Sequence, residues 1–198
     1  MRGDYAAAAS ALQQSIALQP TAGGYTNLGT ALFYQGRYRE ALPAFERAVE
    51  LMPSIPIMWA NLGDAYRWVP GHREQSQEAY ARALQLLRAL LVTDPAHVGN
   101  RSNLALYLAK SGETAKAIEE LRQVLRPDVS EINTLYRGAV TYELAGQRDE
   151  ALRTLDAALT RGYSLREVMA DPELADLRSD VRYHRLATRV ERRAASNE

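Results

Sequence analysis

Apolar residues return along this chain at spacings of three, four and seven, in stretches of about a dozen residues broken by glycine, proline or short polar runs. That is the period of helices that bury one face and leave the other in water. One such stretch, WANLGDAY from Trp59, has the same frame as YTNLGTAL from Tyr25 and, more loosely, RSNLALYL from Arg101. The pattern predicts a run of paired helices and no strands. It also poses a question, because an asparagine recurs at one fixed place within segments that otherwise read as buried helix.

Aligning Gly29 with Gly63 places Tyr25 on Trp59, Asn27 on Asn61, Leu28 on Leu62 and Leu32 on Tyr66, a period of about 34 residues. Downstream, Ala41, Phe45, Ala48 and Pro53 form a second signature, A-x-x-x-F-x-x-A closed by proline. These residues resemble the tetratricopeptide repeat, a helix-turn-helix unit with W-x-x-L-G-x-x-Y in its first helix and the alanine-phenylalanine signature in its second. The resemblance implies an all-α, right-handed superhelical solenoid of antiparallel helix pairs.

The units differ in informative ways. Residues 1–20 keep only a second helix, with Ala8, Leu12, Ser15 and Pro20, so the chain reads as starting inside a repeat and as a piece of a longer protein. Residues 22–55 match the signature closely. The unit 56–97 opens on Pro56, suited to a first helical turn, has a stretched turn RWVPGHRE, and carries its second helix on to Asp94-Pro95. Units 98–130 and 132–164 return to regular spacing, with Gly112 and Gly146 at inter-helix turns that need a left-handed residue. The array thus spans 1–164. From 165 to 198, Asp171-Pro172 and Ser179-Asp180 mark short helices that cap the last apolar face. This ending, with the WVPG turn, resembles the repeat tails of bacterial multidomain signalling proteins such as receptor-like kinases, adenylyl cyclases and winged-helix regulators.

At about 100° per residue, Trp59, Leu62, Gly63 and Tyr66 share one packing stripe, while Ile57, Asn61, Asp64 and Trp68 lie opposite. The same wheel groups Asn27 with Thr30 and Tyr34, and sets Asn103 and Arg137 at the matching place in the later first helices. In the family that the chain resembles, first helices line the concave surface, which implies a row of Asn27, Asn61, Asn103 and Arg137 facing a groove. An asparagine amide can pair with both the C=O and the N–H of an extended peptide, and such a row is similar to the asparagine ladder of O-linked N-acetylglucosamine transferases. Tyr34, Asp64, Arg67, Trp68 and Tyr136 are the candidate specificity contacts. The alternative for the asparagines is bonding to neighbouring helices or solvent; for Trp68 and Tyr34 it is packing under a turn or an adjacent helix.

Composition narrows the function class. Lysine plus arginine and aspartate plus glutamate each number 24, so no net field draws the chain to nucleic acid or anionic membrane. The carboxylate-clamp mode of the family asks for lysines and arginines where Thr26, Thr30, Ala60, Gly99 and Ser102 stand, and is not expected. There is no cysteine, and His72, His97 and His184 lack metal-ligand spacing, so neither a metal nor another cofactor is expected. No phosphate-binding loop or nucleophile elbow occurs, and no apolar run approaches the roughly 20 residues of a membrane span. The resulting expectation is a non-catalytic, cytoplasmic scaffold that binds a protein or peptide, or another domain of its parent protein. Its alternative is a structural, oligomerisation or regulatory module of a larger bacterial protein. Association with a second copy is left open.

Overall fold

Packing of helix on helix begins from local stops and starts that the sequence spells out. The structure, a computed structural model, describes residues 2–126 and 131–195. The end of the fourth unit, 127–130, and the last residues of the cap, 196–198, lie outside the described residues. Those described form α-helices and one 3-10 turn, with no strand among them.

The helices are α1 (Arg2–Leu18), α2 (Ala22–Tyr34), α3 (Tyr38–Leu51), α4 (Pro56–Arg67), α5 (Arg73–Thr93) and α6 (Val98–Lys110). They continue as α7 (Thr114–Val124), α8 (Ile132–Leu144), α9 (Arg148–Thr160), α10 (Leu165–Ala170), α11 (Ala175–Arg178) and α12 (Val181–Ala195). Thr21 starts α2 by accepting from the Gly24 amide at 3.1 Å. His97 does the same for α6 through Nδ1, which accepts from Asn100 N at 3.1 Å and gives that histidine a structural role. Gly112 and Gly146, at φ of 94° and 72°, turn the chain between α6 and α7 and between α8 and α9. Asp180 opens α12 by accepting from the Arg182 amide at 2.9 Å.

The chain divides into two compact units, residues 1–89 and 90–198, with α5 starting in the first and ending in the second. In the first unit α1 packs on α2, α2 on α3, and α3 on α4. Its core holds Leu28, Leu32, Ala41, Phe45, Ala48, Leu62, Ala65 and Val69. A Cβ added at Gly29 would lie 2.6 Å from the Phe45 ring, so only glycine lets α2 and α3 approach this closely. Trp59 fastens α4 to the turn before it, Nε1 donating to Pro53 O at 2.8 Å.

Tyr66, on the same stripe, donates to Glu46 at 2.8 Å. Burial, reinforced by that carboxylate, pushes its phenol up to about 12. The folded state therefore prefers neutral Tyr66. Its contribution is complete below the ordinary phenol value of about 10 and is lost as pH rises from there toward the folded value. In an alkaline absorbance titration, the difference between the chain and Tyr66→Phe is expected to show this phenolate appearing near about 12 rather than about 10.

In the second unit α6 pairs with α7 and α8 with α9, α7 packs on α8, and α12 packs on α9. Val140, Leu155, Val168, Leu174 and Leu177 are almost wholly buried in one cluster, with Tyr183 and Leu186 of α12 closing it. The C-terminal helices thus bury apolar side chains in one cluster with those of α8 and α9.

Candidate functional site

The first helices of successive pairs lie side by side within each unit, α2 beside α4 and α6 beside α8. Thr26 of α2 holds the first contact, its hydroxyl 3.0 Å from Met58 Sδ of α4 and 2.8 Å from Ala22 O. Asn27 is exposed on the same helix, Thr30 is half-buried, and Asn61 is half-buried on α4. Asn103 of α6 is half-buried in the second unit. Among the described residues, no hydrogen bond engages the side-chain amides of these three asparagines.

The aromatic and charged neighbours are more committed. Tyr34 stacks at a tilt on Tyr5 of α1, with centroids 5.4 Å apart. Trp68 lies flat on Tyr38 of α3 at 5.7 Å, while its Nε1 is buried without a partner among the described residues. Asp64 accepts the hydroxyl of Tyr80 from the second helix of its own pair. Arg67 is exposed. Tyr136 is 9% exposed, its ring stacked on Tyr163 at 4.0 Å and its hydroxyl donated to Asp171 of the C-terminal region. Tyr34, Asp64, Trp68 and Tyr136 are therefore each held by a neighbour inside their own unit.

Arg137 is the rung that departs from asparagine. Its guanidinium donates to Ser102 Oγ at 3.2 Å and lies 3.8 Å from Glu131. Ser102 and Thr134, both fully buried, complete this cluster: Thr134 donates to Glu131 and lies 3.3 Å from Ser102 Oγ, which itself donates to Gly99 O at 2.9 Å. Sequence reasoning did not single out Thr134 or Glu131. The available signal was a serine and a threonine on the otherwise apolar faces where α6 and α8 meet. The cluster fixes the direction of Arg137 and leaves it half-buried, able to offer further donors to a carboxylate.

No group of three His, Cys, Asp or Glu suited to a metal occurs among the described residues. No helix there is long and apolar enough to cross a membrane.

Antiparallel helix pairs with glycine turns, each burying its seam on the next pair within its unit, define a helical-hairpin repeat protein. Tetratricopeptide repeat models match residues 22–55 and 71–130, and those segments of the chain are tetratricopeptide repeats. It is similar to TTC0263, a thermophilic TPR protein of Thermus thermophilus, at 24% identity over 93% of this chain and 91% of that one, with a TM-score of 0.58. It is also similar to a Podosopora anserina protein with nearly identical TPR-like repeats, at 22% identity over 80% and 87% of the two chains, with a TM-score of 0.51. At such identities the likeness concerns the fold alone. No curated protein matches the chain. Tetratricopeptide repeats generally mediate protein–protein interactions and typically act as non-catalytic scaffolds.

Proposed function

We propose that the first-helix face of each unit holds an extended peptide by its backbone, through Asn27 and Asn61 in the first unit and, as a face of its own, through Asn103 and Arg137 in the second. The observation that carries this reading is the state of the three asparagine amides. They recur in one frame of the repeat, they are not buried, and no hydrogen bond engages them among the described residues. A residue retained only to tie helices together would spend its amide on a neighbouring helix, as Arg137 of α8 spends a donor on Ser102 of α6. Backbone reading tolerates many sequences, and Arg137 adds a preference for an acidic group at the face of the second unit.

Each neutral hydrogen bond nets about 0.5–1.5 kcal/mol, so the two asparagine rungs of the first unit are worth roughly 1–3 kcal/mol and the one of the second about 0.5–1.5 kcal/mol. Peptides selected from an unbiased display library against the chain are expected to bind the N27A/N61A/N103A variant about twofold to a hundredfold more weakly, with thermal stability unchanged. Equal affinity for the two proteins would sink the asparagine reading. Peptides that keep their affinity when their backbone amides are N-methylated would sink it too.

A further inference from the structure

Two unlike rows flank the asparagines of the first unit. One turn toward the helix starts, four residues before Asn27 and Asn61, stand Gly23 of α2 and Ile57 of α4. Three residues after the same asparagines stand Thr30 and Asp64, both polar. Ile57 is 41% exposed. Gly23 is exposed as well, its φ is not positive, and a Cβ added there would meet nothing within 4 Å. Nothing inside the unit therefore requires glycine at this place, where it weakens a helix. Thr26 and Met58, in contact at 3.0 Å, join α2 to α4 beside the pair and give it a floor. The second unit offers no such notch: at the matching places the His97 ring lies 3.2 Å from a Cβ added at Gly99, and Asn133 is polar.

Resting on the backbone-holding function proposed above, we infer that this notch over Gly23, walled by Ile57, receives a large apolar side chain of the bound peptide. The hydrogen-bonding groups of an extended chain lie in its plane, and its side chains stand across that plane in alternating directions. A peptide whose backbone faces Asn27 and Asn61 therefore points its side chains along the helices, alternately toward their starts and toward their ends. Those toward the starts meet Gly23 and Ile57, and those toward the ends meet Thr30 and Asp64. The ligand preferred by the first unit thus alternates apolar with polar residues. Glycine leaves room for the bulk of the side chain, and Ile57 gains apolar cover. Continuity with the rungs decides the occupant, because a segment held there lays every second side chain over this pair.

The test is a double-mutant cycle between the full chain and a peptide selected on it from an unbiased display library. Peptides that need Asn27 and Asn61 are expected to carry leucine, isoleucine, methionine or phenylalanine at alternate positions. Changing the apolar residue of the peptide to alanine is expected to weaken binding about threefold to tenfold, since roughly half of a large side chain leaves water there. Against Gly23→Leu, whose own side chain fills the notch, the same peptide change is expected to cost little or nothing. That variant keeps the thermal midpoint, because the space over Gly23 is open. Equal losses against the unaltered chain and Gly23→Leu overturn the inference and leave the asparagine reading standing, as do selected peptides without apolar alternation. N27A/N61A binding as tightly as the unaltered chain overturns the backbone reading, and with it the direction given to the peptide. A library that yields no binder overturns both. A dimer in analytical ultracentrifugation that Ile57→Ser turns into a monomer would assign this face to a second copy and overturn the inference too.

Discussion

Phe45→Ala is expected to destabilise the first unit by about 3–5 kcal/mol, because it empties the seam between α2 and α3 where Gly29 leaves no side chain to collapse into the space. Phe45 is 2% exposed, so nearly its whole ring is lost from the core. Both tryptophans, Trp59 and Trp68, lie in the first unit, so urea unfolding followed by tryptophan fluorescence reports this unit directly. The same seam makes a sharper statement about pairs. Gly29 faces Phe45 and Gly63 faces Tyr80, whereas the corresponding positions in the second unit are Ala105 with Leu121 and Ala139 with Leu155, each pair buried in one cluster. Glycine goes with an aromatic ring, and alanine goes with leucine.

Gly29→Ala gains roughly 1 kcal/mol of helix propensity and loses roughly 1–3 kcal/mol to overpacking, since its Cβ would sit 2.6 Å from a ring that cannot swing into solvent. Combining it with Phe45→Leu recreates the pairing of the second unit. The two changes are therefore expected to be less harmful together than the sum of each alone, by about 1–2 kcal/mol. Simple additivity would show that the glycine is there for another reason.

Asp171→Ala is the second large effect, expected to cost the second unit about 2–4 kcal/mol through a buried hydroxyl left unpaired and a lost cap. Asp171 is 9% exposed. One carboxylate oxygen accepts the Tyr136 hydroxyl and the other accepts the Glu173 amide at 2.8 Å. Removing the carboxylate strands that phenol beneath the C-terminal helices. Adding Tyr136→Phe to Asp171→Ala removes the stranded donor and is expected to restore part of the loss. Denaturant unfolding followed by far-UV circular dichroism measures this, and a cost below about half a kcal/mol would contradict the role given to Asp171.

The helix pairs were legible in the sequence because their signals are local. Periodicity chooses the buried face, glycines such as Gly112 and Gly146 mark turns with positive φ, and Pro56 suits a first helical turn. The candidate site was legible only in part. A helical wheel assigns a residue to one side of its own helix, and it cannot say what another helix will lay against that side. Tyr136 was grouped with the groove residues, yet Asp171, 35 positions later, reaches back to cover it. Asp64 and Trp68 lie opposite the packing stripe of α4, and each is taken up by a second helix, through Tyr80 and through Tyr38. The asparagines escape this because no other element packs a polar partner against them among the described residues.

The side-chain amides themselves are the most direct probe of the central claim. In nitrogen-15 spectra of the chain titrated with a selected peptide, the NH2 signals of Asn27 and Asn61 together, or that of Asn103, assigned by single substitution, are expected to shift as binding saturates. Saturation of binding with all three amide signals unmoved would contradict the account.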